Sequence, residues 1–181
     1  MNFGCEEPVE LCGRETKAAS LISFSGLPGT GKSTIARTLA TRIGAVWLRV
    51  DTIEQAISGV LRRTVGDASY RAAYRLAEDN LRFGLSVVAD CVNDCMSARD
   101  AWRDVGLRAG ARVVEVEVVC TDTDEHRRRV ETRATDVPGL RLPDWRGTIG
   151  REFERWNRER LVVDATSAGP DDCVAAILAA L

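Results

Sequence analysis

Lysine is almost missing from this 181-residue chain: Lys17 and Lys32 are the only two, and every other strong base is an arginine. That scarcity leaves no lysine for the Asn-Lys-x-Asp segment through which GTPases read guanine, so a GTPase is disfavoured. No apolar run approaches the roughly 18 residues a membrane helix needs, and the N-terminus lacks the charged-then-apolar pattern of a secretory signal. A soluble, cytoplasmic protein with no membrane partner is therefore expected. Nor is there an excess of either charge: 25 bases against 27 acids leave a formal net charge of −2. A near-neutral chain does not generate the basic field that drives general nucleic-acid binding, which disfavours nucleic acid as a partner. Six cysteines are scattered along a chain large enough not to need disulfides, so reduced thiols are expected. Cys91 and Cys95 have neither a second pair nor a nearby histidine to complete a metal site.

What is present is a phosphate-binding loop. Gly26-Leu27-Pro28-Gly29-Thr30-Gly31-Lys32-Ser33-Thr34 follows the apolar run 21–25 and precedes a helix-like stretch, the context this pattern requires. The glycines let the backbone turn tightly and aim N–H groups at phosphates, and the next helix adds the positive end of its dipole. Lys32 is placed to reach the β- and γ-phosphates. Ser33 offers a hard oxygen to Mg²⁺. These residues imply a nucleoside-triphosphate site, with ATP and Mg²⁺ as the expected cofactors.

The length suits one domain with a substantial core. Residues 1–19 show little apolar periodicity and read as a flexible extension, with the domain proper over 20–181. Strand-like runs at 21–25, 46–50, 86–90, 113–120 and 161–164 alternate with helix-like segments at 32–43, 52–63, 69–83, 97–109, 122–133 and 171–181. Such alternation predicts an α/β fold with a parallel sheet. Ser69 is a candidate cap for the third helix, and Thr121 or Asp122 for the fifth. Around Pro138, Gly139, Pro143 and Gly147 the helical pattern stops, leaving a loop of the length that functional lids have, about 134–150.

Asp51, Asp90 and Asp164 end candidate strands, at the edge of an open parallel sheet where ligands sit. Asp51 follows the first strand after the P-loop helix, where a carboxylate can take the proton of an attacking hydroxyl. The alternative is a cap for a helix beginning at Thr52. Asp90 ends Val87-Val88-Ala89-Asp90 and suits Mg²⁺, directly or through water. Cys91 follows it, where many ATPases carry a water-orienting glutamate, which tilts the reading from hydrolysis to transfer. Arg129 and Arg133 share one helix face and form a candidate clamp for phosphates or a base. Arg127 and Arg128 fit surface pairing with Asp124, Glu125 and Glu131. Arg141, Arg146 and Arg151 are weaker candidates for closing on the triphosphate. His126 is read as structural, with a phosphohistidine or base role as the alternative, and Trp102, Trp145 and Trp156 as packing residues.

The blocks Gly26 to Thr34, Arg49-Val50-Asp51, Val87-Val88-Ala89-Asp90, His126-Arg127-Arg128-Arg129-Val130-Glu131-Thr132-Arg133, Asp136-Val137-Pro138-Gly139-Leu140, Pro143-Asp144-Trp145 and Arg151-Glu152-Phe153-Glu154-Arg155-Trp156 together resemble the small P-loop kinases of the nucleotide-kinase-like class, among them AAA-type ATP-binding proteins. The resemblance runs from Leu21 to Leu181. It implies a three-layer P-loop fold with a five-stranded parallel sheet in the order 2-3-1-4-5, helices on both faces and a small mobile lid. It also implies Mg-ATP as phosphoryl donor, Arg129 and Arg133 against adenine and phosphates, and the loop 164–169 beside the adenine. Several relatives carry an arginine three residues after the base aspartate to hold an acceptor, and here Glu54 stands there. Asn93 and Arg99 occupy positions where relatives contact acceptors, or are ordinary helix-start residues. The combined expectation is transfer of the γ-phosphate to a hydroxyl of a small molecule, with Asp51 as base, Lys32 and Arg133 stabilising charge, and Ser33 with Asp90 on the metal. A nucleotide-driven switch is the second reading, and a nucleic-acid 5′-end kinase the third.

Overall fold

The computed structural model describes residues 18–63 and 65–181. Five strands form one parallel sheet in the order β2-β3-β1-β4-β5. They are β1 (Ser20–Ser25), β2 (Val46–Arg49), β3 (Val87–Asp90), β4 (Arg112–Val119) and β5 (Leu161–Asp164). The helices are α1 (Lys32–Ile43), α2 (Val50–Leu61), α3 (Ala68–Arg82), α4 (Met96–Arg108), α5 (Thr123–Thr132), α6 (Trp145–Ile149) and α7 (Pro170–Leu178). This is the P-loop sheet order that the resemblance implies.

Residues alternate across the sheet because successive side chains on a strand point to opposite faces. Ile22, Phe24 and Val88 pack with Ile35 and Leu39 of α1 and Val174 and Ile177 of α7. Leu21, Val87 and Ala89 pack on the other face with Ala73, Ala77 and Leu81 of α3 and Trp102 and Val105 of α4. A strand coated on both faces needs no polar side, which is why β3 is buried along its whole length. Since β1 pairs with β3 on one side and β4 on the other, the order reverses at its C-terminal end. That is where a crevice opens in such sheets.

Several boundaries depart from the sequence reading. The β2–β3 ladder ends at Arg49 opposite Asp90, and Val50 already begins α2, so Asp51 sits in the first helical turn rather than at a strand end. Arg49 is the N-cap of α2, so Asp51 is not its cap. Ser69 does not cap α3, which starts at Ala68 after a turn closed by the Ala68 N–H on the Val65 carbonyl; Ser69 is buried instead. Asp122 rather than Thr121 caps α5, accepting from the N–H groups of Asp124 and Glu125. The lid segment is not all loop: Asp144 accepts from the Gly147 N–H and starts the short α6 inside it. The extension expected over 1–19 lies, for residues 1–17, outside the described residues. Among the described residues no helix is long and apolar enough to cross a membrane.

Candidate active site

The loop between β1 and α1 takes its shape from three glycines with positive φ, Gly26 at 134°, Gly29 at 85° and Gly31 at 100°. A Cβ on Gly26 would lie 2.2 Å from the Val118 carbonyl oxygen, so no side chain fits there. The Gly26 N–H donates to the Val92 carbonyl at 3.0 Å, stitching the loop to the segment after β3. Pro28 is held by His126, whose Nε2 lies 2.8 Å from the Pro28 carbonyl oxygen. The Lys32 ammonium folds back and donates to the Leu27 carbonyl at 2.7 Å. Burial pushes the Lys32 pKa down to about 8, against the pull of Asp90 and Asp51, with Arg133 adding to the fall.

Asp90 stands across from this lysine, and its Oδ2 is buried without a hydrogen-bond partner. Burial raises its pKa, opposed by Lys32, the Ser33 hydroxyl and Arg49. A buried carboxylate oxygen left unpartnered beside a lysine and a hydroxyl is costly unless something else is bound there. Ser33 and Asp90 are hard oxygen donors of the kind a divalent cation takes, so this corner fits Mg²⁺. Among the described residues no cluster of three or more His, Cys, Asp or Glu offers an all-protein metal cage. Cys91 turns inward, with its thiol on the Phe24 carbonyl.

The P-loop forms the floor of a cleft of 870 Å³, and Asp51, Glu54, Arg129, Arg133 and Arg151 are on its walls. Lys32, Ser33, Asp51, Arg129 and Arg133 are thus brought to one cavity. Arg129 is held by Glu125 at 2.6 Å and by the Thr166 carbonyl at 3.0 Å, in the loop after β5. Arg133 donates to the Pro143 carbonyl at 3.4 Å, while its Nε is buried with no partner. Of the arginines assigned to surface pairing, Arg127 does pair with Glu131 at 2.8 Å, whereas Arg128 both pairs with Glu125 and lines the cleft. Arg141 and Arg151 reach the cleft and Arg146 is not among its lining.

Asn93 and Arg99 are placed elsewhere. Each is 1 % exposed, and neither lines the cleft. The Asn93 amide donates to the Phe24 carbonyl at 2.8 Å. Arg99 donates from Nε to the Asn93 carbonyl at 2.8 Å and from Nη1 to the Glu154 carbonyl at 2.9 Å, with its guanidinium over the rings of Trp156 and Phe153. Arg99 thus ties the 151–156 segment to the loop after β3, while Asn93 Oδ1 and Arg99 Nη2 are buried without a hydrogen-bond partner.

Trp47 and Arg49 are among the cleft residues to which the sequence assigns no role. Arg49 Nη1 lies 2.5 Å from Asp136 Oδ1 in the lid and its Nε 3.9 Å from Asp90 Oδ2, so one guanidinium spans from lid to metal corner. Its place two residues before Asp51 was the available signal.

The family model described as an AAA domain matches residues 21–149. A shikimate kinase of Rhodopseudomonas palustris is 32% identical over 191 aligned positions, covering 94% of this chain and 91% of that protein. A putative kinase from Chloroflexus aurantiacus superposes with a TM-score of 0.70 at 19% identity, covering 91% of this chain and all of the other. The APS kinase of Mycobacterium tuberculosis, in complex with AMPPNP and APS, gives a TM-score of 0.66 at 18% identity over 90% of this chain and 96% of that one. With the P-loop, the 2-3-1-4-5 sheet and these matches, the chain belongs to the AAA-domain family of small P-loop, nucleotide-kinase-like proteins.

Proposed function

We propose that this protein is a Mg²⁺/ATP-dependent phosphotransferase that moves the γ-phosphate of ATP to a hydroxyl of a small molecule. The observation that carries this reading is that Lys32 and Asp51 line one cleft, with Asp90 buried behind it and both carboxylates close enough to act on the lysine's protonation. A lysine on the P-loop side and a carboxylate on the first turn of α2 are the two poles that an in-line phosphoryl transfer needs. The shikimate kinase relative supports a small-molecule acceptor.

Each residue has a defined task. The P-loop N–H groups and the α1 N-terminus cradle the phosphates. Lys32 and Arg133 neutralise charge on the transferring group and the leaving phosphate, and Arg129, braced by Glu125 and Thr166, closes the nucleotide side. Ser33 and Asp90 would hold Mg²⁺, which when bound offsets charge on the β- and γ-phosphate oxygens. Asp51 accepts the proton of the acceptor hydroxyl as its oxygen bonds to phosphorus and the bond to ADP breaks. Nearly all the rate comes from positioning and electrostatics. Cys91, in place of a carboxylate beside Asp90, leaves that position unable to orient a water, which favours an organic acceptor over hydrolysis.

The test is incubation of the protein with Mg-ATP and a pooled library of hydroxyl-bearing metabolites, nucleosides and antibiotics, read by mass for the gain of one phosphate. A product that disappears with Lys32→Ala supports the reading. ATP consumption that is indifferent to every added compound, and equal to its rate without them, would instead identify a nucleotide-driven switch.

A further inference from the structure

Arg49 closes β2 directly opposite Asp90, the last residue of β3, and its side chain reaches toward two carboxylates at once. Nη1 bonds Asp136 in the lid at 2.5 Å, and Nε stands 3.9 Å from Asp90 Oδ2 at the metal corner. Building on the Mg²⁺/ATP part of the phosphotransferase reading, we propose that Arg49 is a positioning residue that couples these two places. Its guanidinium is shared between Asp90 and Asp136, so that yielding Asp90 to a divalent cation and fastening the lid through Asp136 are one event.

The argument begins with two unmet atoms. Arg49 Nε and Asp90 Oδ2 are both buried, one a donor and the other an acceptor, and among the described residues neither has a hydrogen-bond partner. At 3.9 Å they attract but do not bond, since a charge-assisted bond closes at about 2.7–2.9 Å. Leaving both unmet is costly in a buried setting, where a shift of about 1 Å would let each satisfy the other. The bond to Asp136 anchors the same guanidinium at the lid. Asp90 Oδ2 thereby keeps its lone pairs for another cation, while Arg49 still opposes the rise that burial causes in the Asp90 pKa.

The two carboxylates are not equivalent. Asp90 is 3 % exposed at a strand end, Asp136 is 66 % exposed, and Arg49 between them is 15 % exposed. An exposed carboxylate can leave for water at little cost, whereas a guanidinium buried to this depth cannot follow it. The lid is therefore the partner that moves, and Arg49 the post to which it ties. Trp47, on the same strand face, flanks the guanidinium with its ring centroid 5.8 Å from Cζ. Arg37 also pulls on Asp136 through its field. Among the described residues, however, no side-chain hydrogen bond or ion pair joins Arg37 to either carboxylate, so the bridge belongs to Arg49.

Charge makes the sharing conditional. A dication on Asp90 Oδ2 would be a like charge beside Arg49 Nε, in a buried corner where screening is weak, and would turn the guanidinium wholly to Asp136. The converse follows from linkage: a lid carboxylate held on Arg49 withdraws it from Asp90 and raises the corner's affinity for the cation by the same factor. With Asp136 removed, Arg49 is left to bond Asp90 and compete for the oxygen that the cation needs. A plain structural tie between β2 and the lid has no such dependence on the metal.

The test measures, on the full chain, how much Mg²⁺ tightens ADP binding, as the ratio of calorimetric dissociation constants in EDTA and in Mg²⁺. Thermal melting of each variant first reports that it is folded. Asp136→Asn, a change of charge and not of size at an exposed position, should reduce the ratio about fivefold or more, the lower range of ordinary coupling between sites. Arg49→Met removes the competitor, so the ratio should stay at or above the parent's, and adding Asp136→Asn to it should change nothing further. Arg37→Ala should leave the ratio unchanged. In hydrogen exchange with ADP bound, Mg²⁺ should protect the 134–142 segment of the parent, but not that of Asp136→Asn or Arg49→Met. A ratio unmoved by Asp136→Asn, an effect of Asp136→Asn that is equal with and without Arg49, an equal fall in Arg37→Ala, or lid protection that survives both variants would each overturn the proposal. Asp90→Asn separates the causes. A ratio that it leaves intact puts the ion elsewhere and removes the metal assignment together with the coupling; a ratio that it collapses, while the Asp136 and Arg49 variants do not move it as stated, fails the coupling alone. No acceptor enters the experiment, so a failure of phosphate transfer to any compound would count against the phosphotransferase reading and leave the coupling standing.

Discussion

His126 Nε2 lies 2.8 Å from the carbonyl oxygen of Pro28, and a carbonyl only accepts, so Nε2 carries the proton and donates it to the P-loop. The imidazole ring also meets Trp145 edge-on, with centroids 5.3 Å apart. The single histidine therefore props the P-loop from α5 and links it to the lid helix α6. His126→Ala removes one buried hydrogen bond and one aromatic contact, an expected loss of about 1–3 kcal/mol in stability. It should weaken nucleotide binding more than it slows turnover, because it leaves Asp51 and Lys32 in place. Urea unfolding and the KM and kcat for ATP check this; a large fall in kcat with unchanged KM would restore a chemical role.

Arg99 fastens the 151–156 segment to the core, and Arg151 at the start of that segment lines the cleft. The planar guanidinium donates in two directions while stacking between Trp156 and Phe153, which an ammonium cannot reproduce. Arg99→Lys is expected to cost about 2–3 kcal/mol through lost charge-assisted hydrogen bonds and stacking. A variant of native stability with a raised KM for the acceptor alone would show that Arg99 contacts substrate after all.

The parts of this protein legible in its sequence are those written locally. The P-loop glycines, the alternation of strands and helices, and the arginines of α5 each carry their signal within a few residues. What escaped notice depends on distant partners. Nothing near Met96 shows that α4 starts there, because its N–H is met by the Glu154 carboxylate at 2.7 Å, 58 residues away. The sequence leaves Arg99 between an acceptor contact and an ordinary helix-start residue for the same reason: the rings it packs over follow more than fifty positions later. Asp51, by contrast, was assigned for its position relative to α1, and it lines the cleft even though the strand before it ends two residues sooner.

Asp164 closes β5 by accepting from Thr121 and Thr166, and these hydrogen bonds hold its pKa down to about 2. The folded pKa is below the unfolded one, so this carboxylate stabilises the fold above about pH 4 and the contribution is lost as pH falls toward 2. Because the group is largely exposed, the effect after solvent screening is about 0.5–1 kcal/mol. Asp164→Asn should therefore be slightly less stable than the parent at pH 7, with the gap narrowing between pH 4 and pH 2. Denaturant midpoints across that range measure it. A gap independent of pH would mean that the residue acts through shape and not through charge.

Asp51 carries the sharpest prediction. It sits in the first turn of α2, where a carboxylate is favoured by the helix dipole, and it acts on the protonation of Lys32 across the cleft. Asp51→Asn keeps the size and one acceptor oxygen but removes the proton-accepting charge, so the fold and the nucleotide site should persist. If Asp51 is the base, kcat for the acceptor identified by mass falls by about 10²–10⁴-fold, the usual worth of a positioned base. The KM for ATP should change little. The same variant separates the two readings of the cleft: a switch that merely binds ATP would keep its slow nucleotide loss, since Lys32, Ser33 and Asp90 remain. Phosphate transfer at the parent rate would remove Asp51 from the mechanism and pass the role of base to another group on the α2 face, where Glu54 is one turn away.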